Sequence, residues 1–189
     1  PTYLGERAQA LASELGFKCE VLDRDKLEEL KMGSFLSVTN GSDQPPKFIV
    51  MEYWGAGKKQ KPVVLVGKGI TFDTGGISLK PGLDMDQMKF DMCGAASVFG
   101  ALCAIGELKA KVNVIGLVAA CENMPSGRPI TPGHTVSSMS GQEHAVLNAA
   151  AERRPTLSSS RTHPARPRPP PLPHPPPPPG PVPPAPPTP

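Results

Sequence analysis

Two short apolar runs separated by one long helical stretch constrain the fold of this chain more than any other feature. Residues 62–66 and 112–118 have strand length, whereas residues 85–108 are rich in small and apolar side chains over helix length. A strand, a helix and a second strand in this order form a βαβ unit with parallel strands and a right-handed crossover. The pattern predicts an α/β fold with a partial central sheet flanked by helices, in which both strands are buried on both faces.

The segments before this unit alternate between helical and extended patterns. Apolar residues at helical spacing predict helices over residues 3–15 and 23–33. Short apolar stretches predict strands over residues 17–22, 34–38 and 47–54.

A change in composition predicts where the folded domain ends. Residues 155–189 contain 18 of the 26 prolines and no acidic or aromatic residue. Such a segment buries too little apolar surface to offset its chain entropy. We therefore expect a folded domain over residues 1–154 and a disordered proline-rich tail over residues 155–189. Acidic and basic residues cancel in the first part, so the net charge of +3 comes from three tail arginines and indicates no nucleic-acid-binding core.

Cysteine usage and hydropathy indicate the compartment. The four cysteines have no paired spacing, which is typical of free buried thiols in a reducing environment. No run approaches the length expected of a transmembrane helix, so we predict a soluble cytoplasmic protein without a membrane partner. The chain begins at Pro1 without methionine, and we expect it to be a fragment.

A glycine-rich loop after the first strand of the βαβ unit concentrates charge. It carries Lys68, Asp73 and Lys80, and Asp91 follows behind it. The glycines match neither of the common phosphate-binding patterns, so a nucleotide site is not indicated. In the plainest interpretation Asp73 caps a turn, Lys68 and Lys80 are solvated, and Asp91 makes an ion pair on the surface of a helix. The alternative is a divalent metal, because Asp91 lies in an apolar stretch and a buried carboxylate needs a cation or several donors.

Three longer motifs carry a family resemblance. They are Val66–Lys80, Met85–Ala96 and Cys121–Gly127. Together they closely resemble the leucine aminopeptidase (cytosol aminopeptidase) family, most nearly its bacterial branch. The resemblance implies a two-metal exopeptidase that removes N-terminal residues, leucine prominently, from peptides with the help of manganese or zinc. It also implies a homohexamer.

Residue roles follow from the resemblance by position. Lys68 and Asp91 would ligate one metal, Asp73 would bridge to the second, and Lys80 would stabilise the oxyanion at the scissile carbonyl. Lysine can act as a ligand only as the neutral amine, and a nearby dication is the strongest means of lowering its pKa.

Farther along the chain the match to the family changes. Glu152 matches a bridging metal carboxylate, and Arg154 matches an arginine that holds a bicarbonate. Ala150, however, stands where the family has an aspartate, and Arg153 replaces a glycine. We therefore expect one of the two metal sites to be retained and the chain to be inactive on its own.

Two other functions remain open at this point. Residues 169–187 can adopt polyproline II, which would suit a non-catalytic interaction protein that presents a ligand to SH3- or WW-type grooves. Nucleic-acid binding ranks last, because only the three tail arginines favour it.

Overall fold

The computed structural model describes residues 1–57 and 59–146. In this part of the chain the α-helices α1 to α4 are Thr2–Leu15, Arg24–Glu29, Gly33–Thr39 and Cys93–Glu107. The strands β1 to β6 are Lys18–Leu22, Lys47–Trp54, Val63–Asp73, Asn113–Asn123, Thr135–Ser137 and Glu143–Ala145. A 3₁₀ helix, Met85–Phe90, precedes α4. The predicted proline-rich tail lies outside the described residues.

The central sheet has the strand order β1-β2-β4-β3. Strands β3 and β4 pair in parallel and are connected through α4, which confirms the predicted βαβ unit and the α/β class. Strand β2 pairs antiparallel with both β1 and β4. Strands β5 and β6 form a separate antiparallel pair.

Helices cover both faces of the sheet, and the side chains of β4 divide between them. On one side Val118 joins a core that includes Leu102 of α4 and Ala8 of α1. On the other side Ala119 joins a core that includes Leu27 of α2 and Phe35 of α3. Each large aliphatic side chain buried in this way contributes about 1.5–3 kcal/mol, so β4 is anchored from two directions.

The predicted strand over residues 34–38 is wrong, because these residues belong to α3. Phe35 and Val38 are buried at a spacing of three residues, which suits one face of a helix. The Phe35 ring packs edge-to-face on Phe48 of β2 with 6.1 Å between centroids. Burial against the sheet therefore decided the conformation of a segment whose short apolar pattern fits either structure.

The expectation that β3 is buried on both faces is also wrong. Val63, Val64 and Val66 are 58%, 48% and 39% exposed. The reason is that β3 lies at the edge of the sheet and pairs only with β4 among the described residues. The strand also continues to Asp73, so the predicted loop begins several residues later than expected.

The predicted single helix over residues 85–108 is divided at Asp91 and Met92. Contrary to the expectation of no membrane-length segment, Met85–Glu107 is long and apolar enough to cross a membrane by length and composition alone. In the structure the second part, α4, buries Val98 and Leu102 against the sheet.

The four cysteines are free, as predicted, but they are not uniformly buried. Cys121 is buried in β4, Cys19 and Cys103 are partly exposed, and Cys93 is exposed at the start of α4. The apolar neighbours in sequence therefore indicated burial correctly only for Cys121.

Candidate metal centre

Two glycines allow β3 to approach the first turn of α4. A Cβ at Gly67 would stand 2.6 Å from the carbonyl oxygen of Gly94, and one at Gly94 would stand 2.9 Å from the amide nitrogen of Lys68. No side chain fits at such distances. The contact places Lys68 beside Asp91, two residues before α4, and Lys68 Nζ donates a hydrogen bond to Asp91 Oδ2 at 2.5 Å.

Asp73 at the end of β3 is the centre of the cluster, and its side chain is fully buried. Its Oδ2 accepts a hydrogen bond from Lys80 Nζ and lies 3.8 Å from Lys68 Nζ. Its Oδ1 accepts from the backbone amide of Gly75 at 3.0 Å and from Asn123 Nδ2 at 2.9 Å. Both carboxylate oxygens are therefore satisfied by donors from the loop after β3 and from the end of β4.

The loop after β3 turns back sharply enough to return Lys80 to Asp73. Gly75 and Gly76 have φ angles of 87° and 64°, in the left-handed region where a Cβ is disfavoured. The amide of Lys80 donates to the carbonyl of Thr74 at 2.9 Å and closes the loop. Lys80 Nζ also lies 3.4 Å from Met88 Sδ on the 3₁₀ helix.

The cluster balances two ammonium groups against two carboxylates. Burial raises the pKa of Asp91 above its ordinary value of 3.8, the Lys68 ammonium acts in the opposite direction, and contact with Asp73 raises the pKa further. The Asp73 and Asp91 carboxylates therefore repel each other, and the Lys68 and Lys80 ammonium groups offset that repulsion. A divalent ion would fit at this place if Lys68 gave up its proton and became a neutral ligand.

The structure brings Lys68, Asp73, Lys80 and Asp91 into one cluster. The plainer interpretation is correct for the two carboxylates, because Asp73 caps the turn at Gly75 and Asp91 is ion-paired, but neither lysine is simply solvated. Of the two acidic residues, only Asp73 is fully buried, whereas Asp91 remains 21% exposed. The other predicted site residues, Glu152 and Arg154, lie outside the described residues, as does Ala150.

Sequence reasoning did not assign a role to Asn123. This residue ends β4 in register with Asp73, and its carbonyl oxygen accepts hydrogen bonds from the amide and hydroxyl groups of Thr74. Its side chain orients the Asp73 carboxylate. Its position at the carboxyl end of a predicted parallel strand could have indicated this role, because the carboxyl ends of adjacent parallel strands meet at one edge of a sheet.

The donor set suits a divalent ion only in part. Carboxylates suit hard ions such as manganese, and a lysine nitrogen suits zinc. The part of the chain that the structure describes contains no group of three or more His, Cys, Asp or Glu residues placed to hold an ion. Two carboxylates with the Lys68 amine would give three ligands, and water or residues outside the described part of the chain could fill the remaining positions.

Comparison with known proteins identifies the family. Residues 1–163 match the catalytic domain of the cytosol aminopeptidase family. Over 170 residues the chain is 61% identical to the cytosol aminopeptidase of Pseudomonas aeruginosa strain PAO1, covering 89% of this chain and 34% of that protein. Over 169 residues it is 59% identical to a Ralstonia nicotianae protein named "Probable cytosol aminopeptidase", covering 89% of this chain and 33% of that protein.

These matches confirm the resemblance read from the three motifs. The chain belongs to the cytosol aminopeptidase family. It spans about one third of the length of the curated relatives that it matches.

Proposed function

We propose that this chain supplies part of the two-metal site of an aminopeptidase that hydrolyses N-terminal residues, leucine among them, from peptides. The observation that carries this proposal is the convergence of Lys68, Asp73, Lys80 and Asp91 at the carboxyl end of β3, in a chain of this family. In the proposed site Lys68 and Asp91 would hold one ion, and Asp73 and Glu152 would be carboxylate ligands shared with the second.

A pair of manganese or zinc ions would supply polarisation of the scissile carbonyl and activation of water. The Lys80 ammonium, held beside Asp73, is placed to stabilise negative charge that develops on the carbonyl oxygen. Arg154 would hold a bicarbonate next to the substrate. Both Arg154 and Glu152 fall within the range that matches the family, which supports their inclusion.

Ala150 limits what this chain can do by itself. A methyl group cannot ligate, so the second ion loses the carboxylate that the family resemblance requires at this position. We therefore propose that the chain retains one tight metal site and lacks hydrolytic activity alone. Cytoplasmic location and assembly into a homohexamer belong to the same proposal, and they rest on the family alone.

Calorimetric titration of the metal-free chain with manganese tests the retained site. We expect at most one tight equivalent per chain, and Asp73→Ala should abolish it because Asp73 is the buried centre of the cluster. Asp86→Ala is a matched control, since Asp86 is an exposed carboxylate on the neighbouring 3₁₀ helix. Two tight equivalents, or equal loss in both variants, would contradict the proposal.

A further inference from the structure

The ladder between β3 and β4 is irregular just before the metal cluster. Pairing is regular as far as Ile70, which lies opposite Cys121. The next pair joins Asp73 to Asn123, so two residues of β3 stand opposite a single residue of β4. An extra residue on one strand of a pair is a β-bulge, and it changes which side chains of that strand share a face of the sheet.

The spacing of the site residues requires such a change. Lys68 and Asp73 are five residues apart, and an odd spacing places two side chains on opposite faces of a regular strand. Packing shows which face is which before the bulge. Ile70 packs in the core formed with α2 and α3, whereas Leu65 packs against the core formed with α1 and α4. By alternation Lys68 shares the face of Ile70, and in a regular strand Asp73 would share the face of Leu65.

The bulge returns Asp73 to the face on which Lys68 lies. Cys121 is buried in the same core as Ile70, and Asn123 follows it on the same face of β4. Asn123 Nδ2 donates to Asp73 Oδ1 at 2.9 Å, and Asp73 Oδ2 lies 3.8 Å from Lys68 Nζ. Both contacts therefore depend on the extra residue in β3.

One side chain of the bulge binds it to β4. Thr71 Oγ1 donates a hydrogen bond to the carbonyl oxygen of Cys121 at 3.2 Å, and Thr71 is partly buried. Cys121 belongs to the last regular pair before the bulge. The hydroxyl thus fixes the extra residue ahead of Asp73. If the irregularity moved past Asp73, the Asp73 side chain would turn to the opposite face.

We propose that the bulge at Thr71 and Phe72 sets the face on which Asp73 lies, and that Thr71 is a positioning residue for the metal site. The inference rests on the proposed function, in which Asp73 is a ligand. Thr71 itself contributes no ligand and acts through the Asp73 carboxylate. Loss of its hydroxyl should therefore weaken metal binding without removing any ligating group.

Calorimetric titration with manganese tests this role. Thr71→Val removes the hydroxyl at nearly constant shape and should weaken binding about tenfold, which corresponds to one ordinary hydrogen bond. Thr71→Ser keeps the hydroxyl and should bind as the wild type does. Thr135→Val is the matched control, since Thr135 is an exposed threonine in β5 of the separate two-stranded sheet. Unchanged affinity in Thr71→Val, or equal loss in Thr71→Ser or Thr135→Val, would overturn the proposal.

Hydrogen exchange of the metal-free chain separates this inference from the proposed function. The buried amide of Gly75 donates to Asp73 Oδ1 at 3.0 Å, so its exchange rate reports whether Asp73 is in place. Thr71→Val should raise that rate about tenfold and leave the amide of Ile49 in β2 unchanged. Equal acceleration at both amides, or none at Gly75, would refute a positioning role. If the wild type binds no manganese, the proposed function fails, and the Gly75 amide still decides the role of Thr71.

Deletion of Phe72 tests the face of Asp73 directly. It removes the extra residue, so Asp73 can pair with Asn123 in a regular ladder and remain on the face of Lys68. We expect a chain that is folded by circular dichroism and keeps the Gly75 amide protected, even when Thr71→Val is added. A folded deletion variant without that protection would contradict the proposal, and the Thr71 variants decide if the deletion prevents folding.

Discussion

The close contact between β3 and α4 makes Gly67→Ala an informative substitution. Its new Cβ would stand 2.6 Å from the oxygen of Gly94 and 2.9 Å from the Cα of Ala95, and both are backbone atoms. An ordinary contact begins at 3.4 Å, so α4 has to move by about 0.8 Å. Overpacking of this kind costs about 1–3 kcal/mol. Alanine also lowers the entropy of the unfolded chain, which stabilises the folded state by about 0.4–1 kcal/mol. The unfolding free energy should therefore fall by about 1–2 kcal/mol in total.

The same movement separates Lys68 from Asp91, whose atoms now lie 2.5 Å apart. Metal sites tolerate changes of only about 0.2 Å in ligand distance, so we expect manganese affinity to fall at least about tenfold. Urea unfolding of the metal-free chain measures the stability change, and calorimetric titration measures the affinity.

Gly100→Ala provides the control for this experiment. It lies in the same helix, and a Cβ there would meet no atom within 4 Å. Alanine in a helix interior is favoured over glycine by about 0.5–1 kcal/mol, so this variant should be more stable and bind manganese normally. The reasoning fails if Gly67→Ala matches the wild type in both assays, or if it loses stability and keeps its metal affinity.

Other consequences can be tested in parallel. Asn123→Ala removes a donor to Asp73 and should lower manganese affinity about 10–100-fold while circular dichroism stays unchanged; unchanged affinity would exclude an orienting role. Because the pKa of Asp91 is raised in the folded state, folding favours the protonated carboxyl group. This contribution to the unfolding free energy is fully present below pH 3.8 and is lost as the pH rises through the folded-state pKa. The unfolding free energy of the wild type relative to Asp91→Asn should therefore increase as pH falls from 7 to 4, and a constant difference would count against this. Deletion of residues 155–189 should leave the thermal transition unchanged, because the proline-rich composition of that segment offers little apolar surface to bury; a lower midpoint would contradict this. The chain should not hydrolyse leucine p-nitroanilide, and manganese-dependent turnover that Lys80→Ala abolishes would refute this.

The parts of the fold that sequence predicted correctly depend on local signals. The βαβ unit could be read from the lengths of two apolar runs and one helical stretch, and α1 from apolar residues at helical spacing. The spacing of charged residues around the glycine-rich loop likewise indicated a cluster, because Lys68 and Asp73 lie in β3 and Lys80 lies in the loop that directly follows it.

The parts that sequence did not predict depend on distant neighbours. Residues 34–38 fit a strand or a helix equally well until Phe35 meets Phe48. Val63 and Val64 appear to belong to a core unless the position of β3 at the sheet edge is known. The role of Asn123 requires the parallel register of β3 and β4, which joins residues 50 positions apart.

The balance of charge around Asp73 has a consequence for how metal enters. With Lys68 and Lys80 protonated, both carboxylates are already neutralised, so the site can fold and remain stable while no ion is bound. An incoming dication that takes Lys68 as a ligand has to release the proton of that ammonium group to solvent. Metal binding is thus coupled to the release of one proton. Each increase of one pH unit therefore raises the apparent metal affinity about tenfold, as long as Lys68 is protonated in the metal-free site. The occupancy of the site would then follow the acidity of its surroundings as closely as it follows the supply of manganese or zinc.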